Sequence, residues 1–102
     1  MFTFPPALNG KLSLGAVGAV LIDGLTKKYC TGDVTINSAS LDRIGRDIHE
    51  AMREIKEAGN MVWDSDREEQ VSGFSAVYYR RGNAIEVLPQ YSSDPHQLAL
   101  AS

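Results

Sequence analysis

Apolar residues recur at intervals of three and four through Ser40–Gly59, SLDRIGRDIHEAMREIKEAG. Leu41, Ile44, Ile48, Met52, Ile55 and Ala58 form one stripe, and Arg43, Arg46, Asp47, Glu50, Arg53, Glu54 and Glu57 fill the remaining surface. The spacing predicts an amphipathic helix over about 40–58, capped by Ser40 or Ser38 and stopped at Gly59-Asn60. A second helix is predicted over about 13–29, with Ser13 as cap and Leu14, Val17, Leu21 and Leu25 as its stripe. Gly15, Gly18 and Gly24 oppose it, each costing about 1 kcal/mol against alanine in a helix interior. The competing reading is a buried strand at Ala16–Ile22. In a helix, the same glycines permit close approach of another element.

After Gly59 the period changes to two. Met61-Val62-Trp63 reads as a short strand and Asp64–Glu69 as a polar connection. Val71–Arg80 and Ala84–Leu88 read as a hairpin around Arg81-Gly82-Asn83, ended by Pro89. A two-residue turn at Arg81-Gly82 or Gly82-Asn83 puts Phe74, Ala76 and Tyr78 on the core face with Ile85 and Val87. A three-residue loop would bring Val77 and Tyr79 there instead, because one added residue flips every side chain; the two-residue turn is the one expected. Met1–Lys11, with Pro5-Pro6 and Asn9-Gly10, is expected to be an irregular arm tucked down by Phe2, Phe4 and Leu8. Val34-Thr35-Ile36 reads as extended and Tyr91–Ser102 as a mixed tail. The expected fold is α+β: two helices on a three-stranded antiparallel meander over about 60–63, 71–80 and 84–88, within one domain spanning 1–102.

Composition narrows the possibilities. The chain has 102 residues, 43% hydrophobic and 23% charged, which is ordinary globular usage. Its net charge of −3 supplies no global positive field for nucleic acid or an anionic membrane. The run Leu12–Ile22 is too short for the roughly 20 residues a membrane span needs. Its single lysine lead-in and following Asp23 do not fit a cleavable signal. The lone Cys30 excludes an intramolecular disulfide and fits a reducing cytosol.

No motif announces a chemistry. Asp64, Asp66, Glu68 and Glu69 cluster within six residues, but Glu69 and Ser75 stand where a calcium loop needs glycine and glutamate. One cysteine and two separated histidines make no closed zinc site. Gly15-Ala16-Val17-Gly18 lacks the dinucleotide fingerprint and the P-loop lysine. No cofactor and no metal are therefore expected. Cys30, His49 and Asp33 are the only candidates for a cysteine–histidine–acid set, with Lys27 and Lys28 placed to lower the thiol pKa. His96 is expected to be solvated in the tail.

Aromatic and basic residues carry the functional expectation. Trp63, Tyr79 and Tyr91 exceed what one face of so small a sheet can hide. Tyrosine, tryptophan and arginine dominate interface energetics. The leading expectation is a non-catalytic, cytosolic protein-binding module that inhibits, adapts or regulates by occupying a protein partner through Tyr79, Arg80, Arg81 and Trp63. A homodimer through the sheet edge accompanies it, and no membrane partner is expected. The first alternative is a nucleic-acid accessory protein using the Tyr79-Arg80-Arg81 tip for stacking and phosphate contact. The second is a small cysteine-dependent enzyme. In general look the chain resembles short accessory reading frames of bacteria and their prophages. No residue motif carries that likeness.

Overall fold

A computed structural model describes residues 2–32 and 36–92. The elements run β1 (Lys11–Ser13), α1 (Leu14–Tyr29), α2 (Ser38–Glu57), β2 (Met61–Asp64), β3 (Glu69–Val71), β4 (Gly73–Tyr79) and β5 (Ala84–Gln90). The architecture is α+β, with sheets of three and two strands. The first is mixed, in the order β1-β2-β3, with β1 parallel to β2 and β2 antiparallel to β3. The second is the antiparallel hairpin β4-β5. The antiparallel meander is corrected on two counts: β1 joins as a parallel strand, and the predicted 71–80 strand is two strands.

Local chemistry accounts for the element boundaries. Asn9 and Gly10 take φ of 55° and 75°, and reciprocal hydrogen bonds of 3.0 Å join Leu8 to Lys11. This tight turn launches β1 from within the expected arm. Phe2 and Phe4 pack against the core as expected, whereas Leu8 is exposed. Helix α1 replaces the competing strand; Ser13 caps it by accepting the Ala16 amide at 3.2 Å, and Val17, Leu21 and Leu25 are fully buried. Of its glycines, Gly24 meets a close neighbour: a β-carbon there would lie 2.6 Å from the Phe2 ring. Nothing lies within 4 Å of the equivalent positions at Gly15 and Gly18.

Helix α2 is capped by Asn37, not by Ser40 or Ser38. The Asn37 side-chain oxygen accepts the Ser40 amide at 3.0 Å. Its far end is a Schellman motif, with Gly59 at φ 79° and the amides of Gly59 and Asn60 donating to Lys56 and Ile55. Ile44, Ile48 and Ile55 of the predicted stripe are buried together with Ala51, while Leu41 and Ala58 at its ends are exposed. Both helices lie on the sheet face that carries Leu12, Val62, Val71, Phe74, Ile85 and Val87. Among the described residues, no helix is long and apolar enough to cross a membrane.

The break between β3 and β4 has a readable cause. Val71 and Phe74 are three apart, yet both are buried. Strict alternation would place them on opposite faces, so Ser72-Gly73 resets it by one residue, as a bulge does. Here the chain changes its partner from β2 to β5, and both the amide and the hydroxyl of Ser72 donate to the Gln90 carbonyl. Pro89 does not end β5; it pairs in register with Phe74 in a strand that has only β4 as neighbour, where a missing amide is tolerated.

Candidate functional site

The hairpin register decides which side chains face outward. Tyr78 pairs with Ile85 and Tyr79 with Ala84, the pairing of a two-residue turn at Arg81-Gly82. The Asn83 amide donates to the Arg80 carbonyl at 3.2 Å, with Gly82 and Asn83 at φ 99° and 48°. The Tyr78 hydroxyl donates to the Asn83 side chain at 2.8 Å and ties the turn to the core face. Phe74, Ala76 and Tyr78 therefore face inward with Ile85 and Val87, as predicted. Ser75, Val77, Tyr79, Ala84, Glu86 and Leu88 occupy the opposite face.

That outer face is uncovered by any described element. Tyr79 is 48% and Leu88 44% exposed, with Val77 half-buried between them. The Tyr79 hydroxyl donates to Glu86 at 2.7 Å, a bond that pushes the tyrosine pKa upward. Arg80 and Arg81 are exposed at the tip, and no ion pair engages them among the described residues. Trp63 lies on the other sheet. It also points outward, since Val62 and Asp64 on either side are buried, and the Lys11 ammonium sits 4.1 Å from its ring centroid. Of the four predicted contact residues, Tyr79 and Trp63 face away from the helices on two different sheets, and Arg80 and Arg81 are exposed at the hairpin tip.

Other polar groups form structural clips. Asp64 does not lie in a solvated acidic connection; it ends β2 and is only 7% exposed. One carboxylate oxygen accepts the amides of Asp66 (3.0 Å) and Arg67 (3.3 Å), which fixes the β2–β3 turn. The other accepts the hydroxyl of Tyr91. Tyr91 is not a surplus surface aromatic; it is 5% exposed, with the Arg67 guanidinium 3.8 Å above its ring and held there by Glu69 at 3.0 Å. Burial first, then the Asp64 bond, pushes the Tyr91 pKa up to about 12, and the same bond holds the Asp64 carboxyl below its usual value. A second clip joins the helices: Asp47 accepts both the Tyr29 hydroxyl (2.6 Å) and the Lys28 ammonium (3.0 Å).

The candidate catalytic residues are not brought together. Cys30 is the C-cap of α1, half-buried against the core, and burial pushes its thiol pKa up rather than down. Lys27 and Lys28 are engaged by Asp23 and Asp47. His49 is exposed on α2, and no hydrogen bond joins it to Cys30 among the described residues. Asp33, with Val34-Thr35, and the tail residues His96, Leu98 and Leu100 lie outside the described residues. Among the described residues, no group of three or more His, Cys, Asp or Glu is placed to hold a metal ion.

A groove beside α2 lies outside the sequence expectations. It has a volume of about 430 Å³ and runs between α2 and the β2–β3 sheet, with His49, Arg53 and Lys56 on its helix side and Met61, Val62 and Val71 across from them. His49, Arg53 and Lys56 recur at helical spacing, a signal hidden among the other charges of α2. Comparison with protein-family models, curated proteins and solved structures finds no match for the chain.

Proposed function

We propose that this chain is a non-catalytic, cytosolic protein-binding module whose contact surface is the outer face of β4–β5 together with its Arg80-Arg81 tip. One juxtaposition supports this reading. Tyr79 and Leu88, two of the large apolar side chains left exposed, share a sheet face that no described element covers, beside two arginines that no described carboxylate pairs. Aromatic and arginine side chains at the centre of a desolvated patch carry most of the energy of protein interfaces. The Tyr79–Glu86 bond disfavours single-stranded nucleic acid, because it sets a carboxylate beside the ring on which a base would stack. Binding here acts by occupying the partner.

The test replaces Tyr79, Arg80 and Arg81 with serine in the intact chain and measures affinity for the purified partner first captured from native cytosol. All three side chains are exposed, so the melting temperature should stay close to that of wild type. Affinity should fall about thirtyfold or more if they form a hot spot. Unchanged affinity removes the hairpin from consideration. Capture abolished by nuclease, with log affinity falling by about 0.7 per phosphate contact for each log unit of salt, assigns the tip to nucleic acid instead.

A further inference from the structure

The extended segment Glu69–Tyr79 carries opposite charge at its two ends. The turn before it holds Asp66 and Glu68 on either side of Arg67, whose charge is matched by Glu69, and the turn after it holds Arg80 and Arg81. Asp66, Glu68, Arg80 and Arg81 are exposed, and none forms an ion pair among the described residues. Eleven residues in largely extended conformation, up to about 36 Å of chain, separate the two turns, and no ion pair joins them within one chain among the described residues. Between them lies the uncovered face with Tyr79 and Leu88.

We infer that the partner seated on this face is a second copy of the same chain, packed sheet face to sheet face about a two-fold axis that crosses the strands. The inference rests on the reading of the hairpin face given above. Two sheets packed face to face align their strands to within about 30°, either parallel or antiparallel. Parallel alignment would set the arginine tip of one copy on that of the other, and acidic turn on acidic turn. Antiparallel alignment sets each arginine tip over the other copy's Asp66 and Glu68. Charge therefore selects the antiparallel pair and places the axis level with Phe74. Leu88, paired with Ser75 one residue along, then sits beside its own symmetry mate. Tyr79 reaches toward the second copy's Gln70 and Trp63, which are paired in register. This pairing unites the aromatic residues that one chain holds on two sheets.

The face is preferred to the β5 edge because Pro89 withholds an amide from any ladder built there. With the axis level with Phe74, each copy contributes its hairpin face, roughly 24 Å by 10 Å over seven-residue strands, and the shorter outer face of its β2–β3 strands. Together these are well below the ~800 Å² per partner of a standard interface. The dimer is accordingly weak and concentration-dependent.

Two charge-reversed forms of the whole chain test the pairing by sedimentation equilibrium from micromolar to millimolar concentration. One carries Arg80→Glu and Arg81→Glu, the other Asp66→Arg and Glu68→Arg. Each alone should self-associate at least about tenfold more weakly than wild type, because like charges then oppose at both contacts. Mixed in equal amounts they should form a heterodimer of near wild-type affinity, since both contacts become attractive again. That recovery also shows that both variants are folded. A wild-type chain monomeric throughout, variants that dimerise as wild type does, or a mixture that recovers nothing would each overturn the inference. A monomeric chain that still loses another protein's binding on Tyr79→Ser and Leu88→Ser would overturn self-pairing while leaving the face as a contact surface.

Discussion

Removing one oxygen from Tyr91 isolates the contact that ties the end of β5 to the β2–β3 turn. Tyr91→Phe keeps the buried ring beneath Arg67 and deletes only the hydroxyl donated to Asp64. Asp64 retains the two turn amides on its other oxygen, so the loss is one charge-assisted hydrogen bond, worth about 1.5–2 kcal/mol. For a domain of this size that lowers the melting temperature by roughly 6–15 °C. The pH dependence is more diagnostic than the magnitude. With the folded Tyr91 pKa raised to about 12 from an ordinary 10, wild type's advantage is complete below pH 10. The advantage is lost between about 10 and about 12, because the unfolded chain releases its proton first. At the acid end the Asp64 pKa is depressed, chiefly by the same hydroxyl. The advantage is therefore present above the unfolded carboxyl value of 3.8 and declines as pH falls below it. Urea unfolding of both proteins from pH 3 to 12 reads the difference directly and cancels the other tyrosines. A variant within about 0.5 kcal/mol of wild type, or a difference flat across the alkaline range, would refute the clip.

Five further substitutions probe the frame. Ile48→Ala should destabilise by roughly 2–5 kcal/mol through lost burial and a residual cavity, whereas Arg46→Ala on the exposed side should cost about 0.5 kcal/mol or less; chemical denaturation compares them. Gly18→Ala has open space and should raise stability by about 0.5–1 kcal/mol, while Gly24→Ala should forfeit that gain by displacing Phe2, as melting curves of the pair would show. Cys30→Ala should leave fold and binding intact, since burial raises the thiol pKa and no base is hydrogen-bonded to it among the described residues; binding lost in a folded variant would reopen the cysteine chemistry.

The parts legible in the sequence were those whose signal repeats over many residues. Twenty residues of stripe located α2, and paired alternation around Arg81-Gly82-Asn83 located the hairpin and favoured the two-residue turn that sends Tyr79 outward, a register the strand pairing then decides. The unread parts depend on single residues or distant partners. β1 has three residues and one buried side chain, Leu12, and it is followed at once by a helix whose apolar run hides it. The face reset at Ser72-Gly73 leaves the apolar count of 71–80 unchanged, so one strand was read where two exist. Asp64 and Tyr91 stand 27 positions apart, and nothing local distinguishes that aspartate from its solvated neighbours. Asn37 outcompeted two nearby serines as cap, a choice made within one turn of chain.

The central claim, that the outer hairpin face is where partners sit, is met most directly by chemical-shift mapping of the nitrogen-labelled intact chain as unlabelled chain or the captured partner is added. The perturbed amides should be those of Ser75, Val77, Tyr79–Arg81, Glu86 and Leu88, with Trp63 joining when the added protein is a second copy. Perturbation centred instead on His49, Arg53 and Lys56, along the groove of α2, with the hairpin silent, would contradict the claim and move the contact surface to the helix.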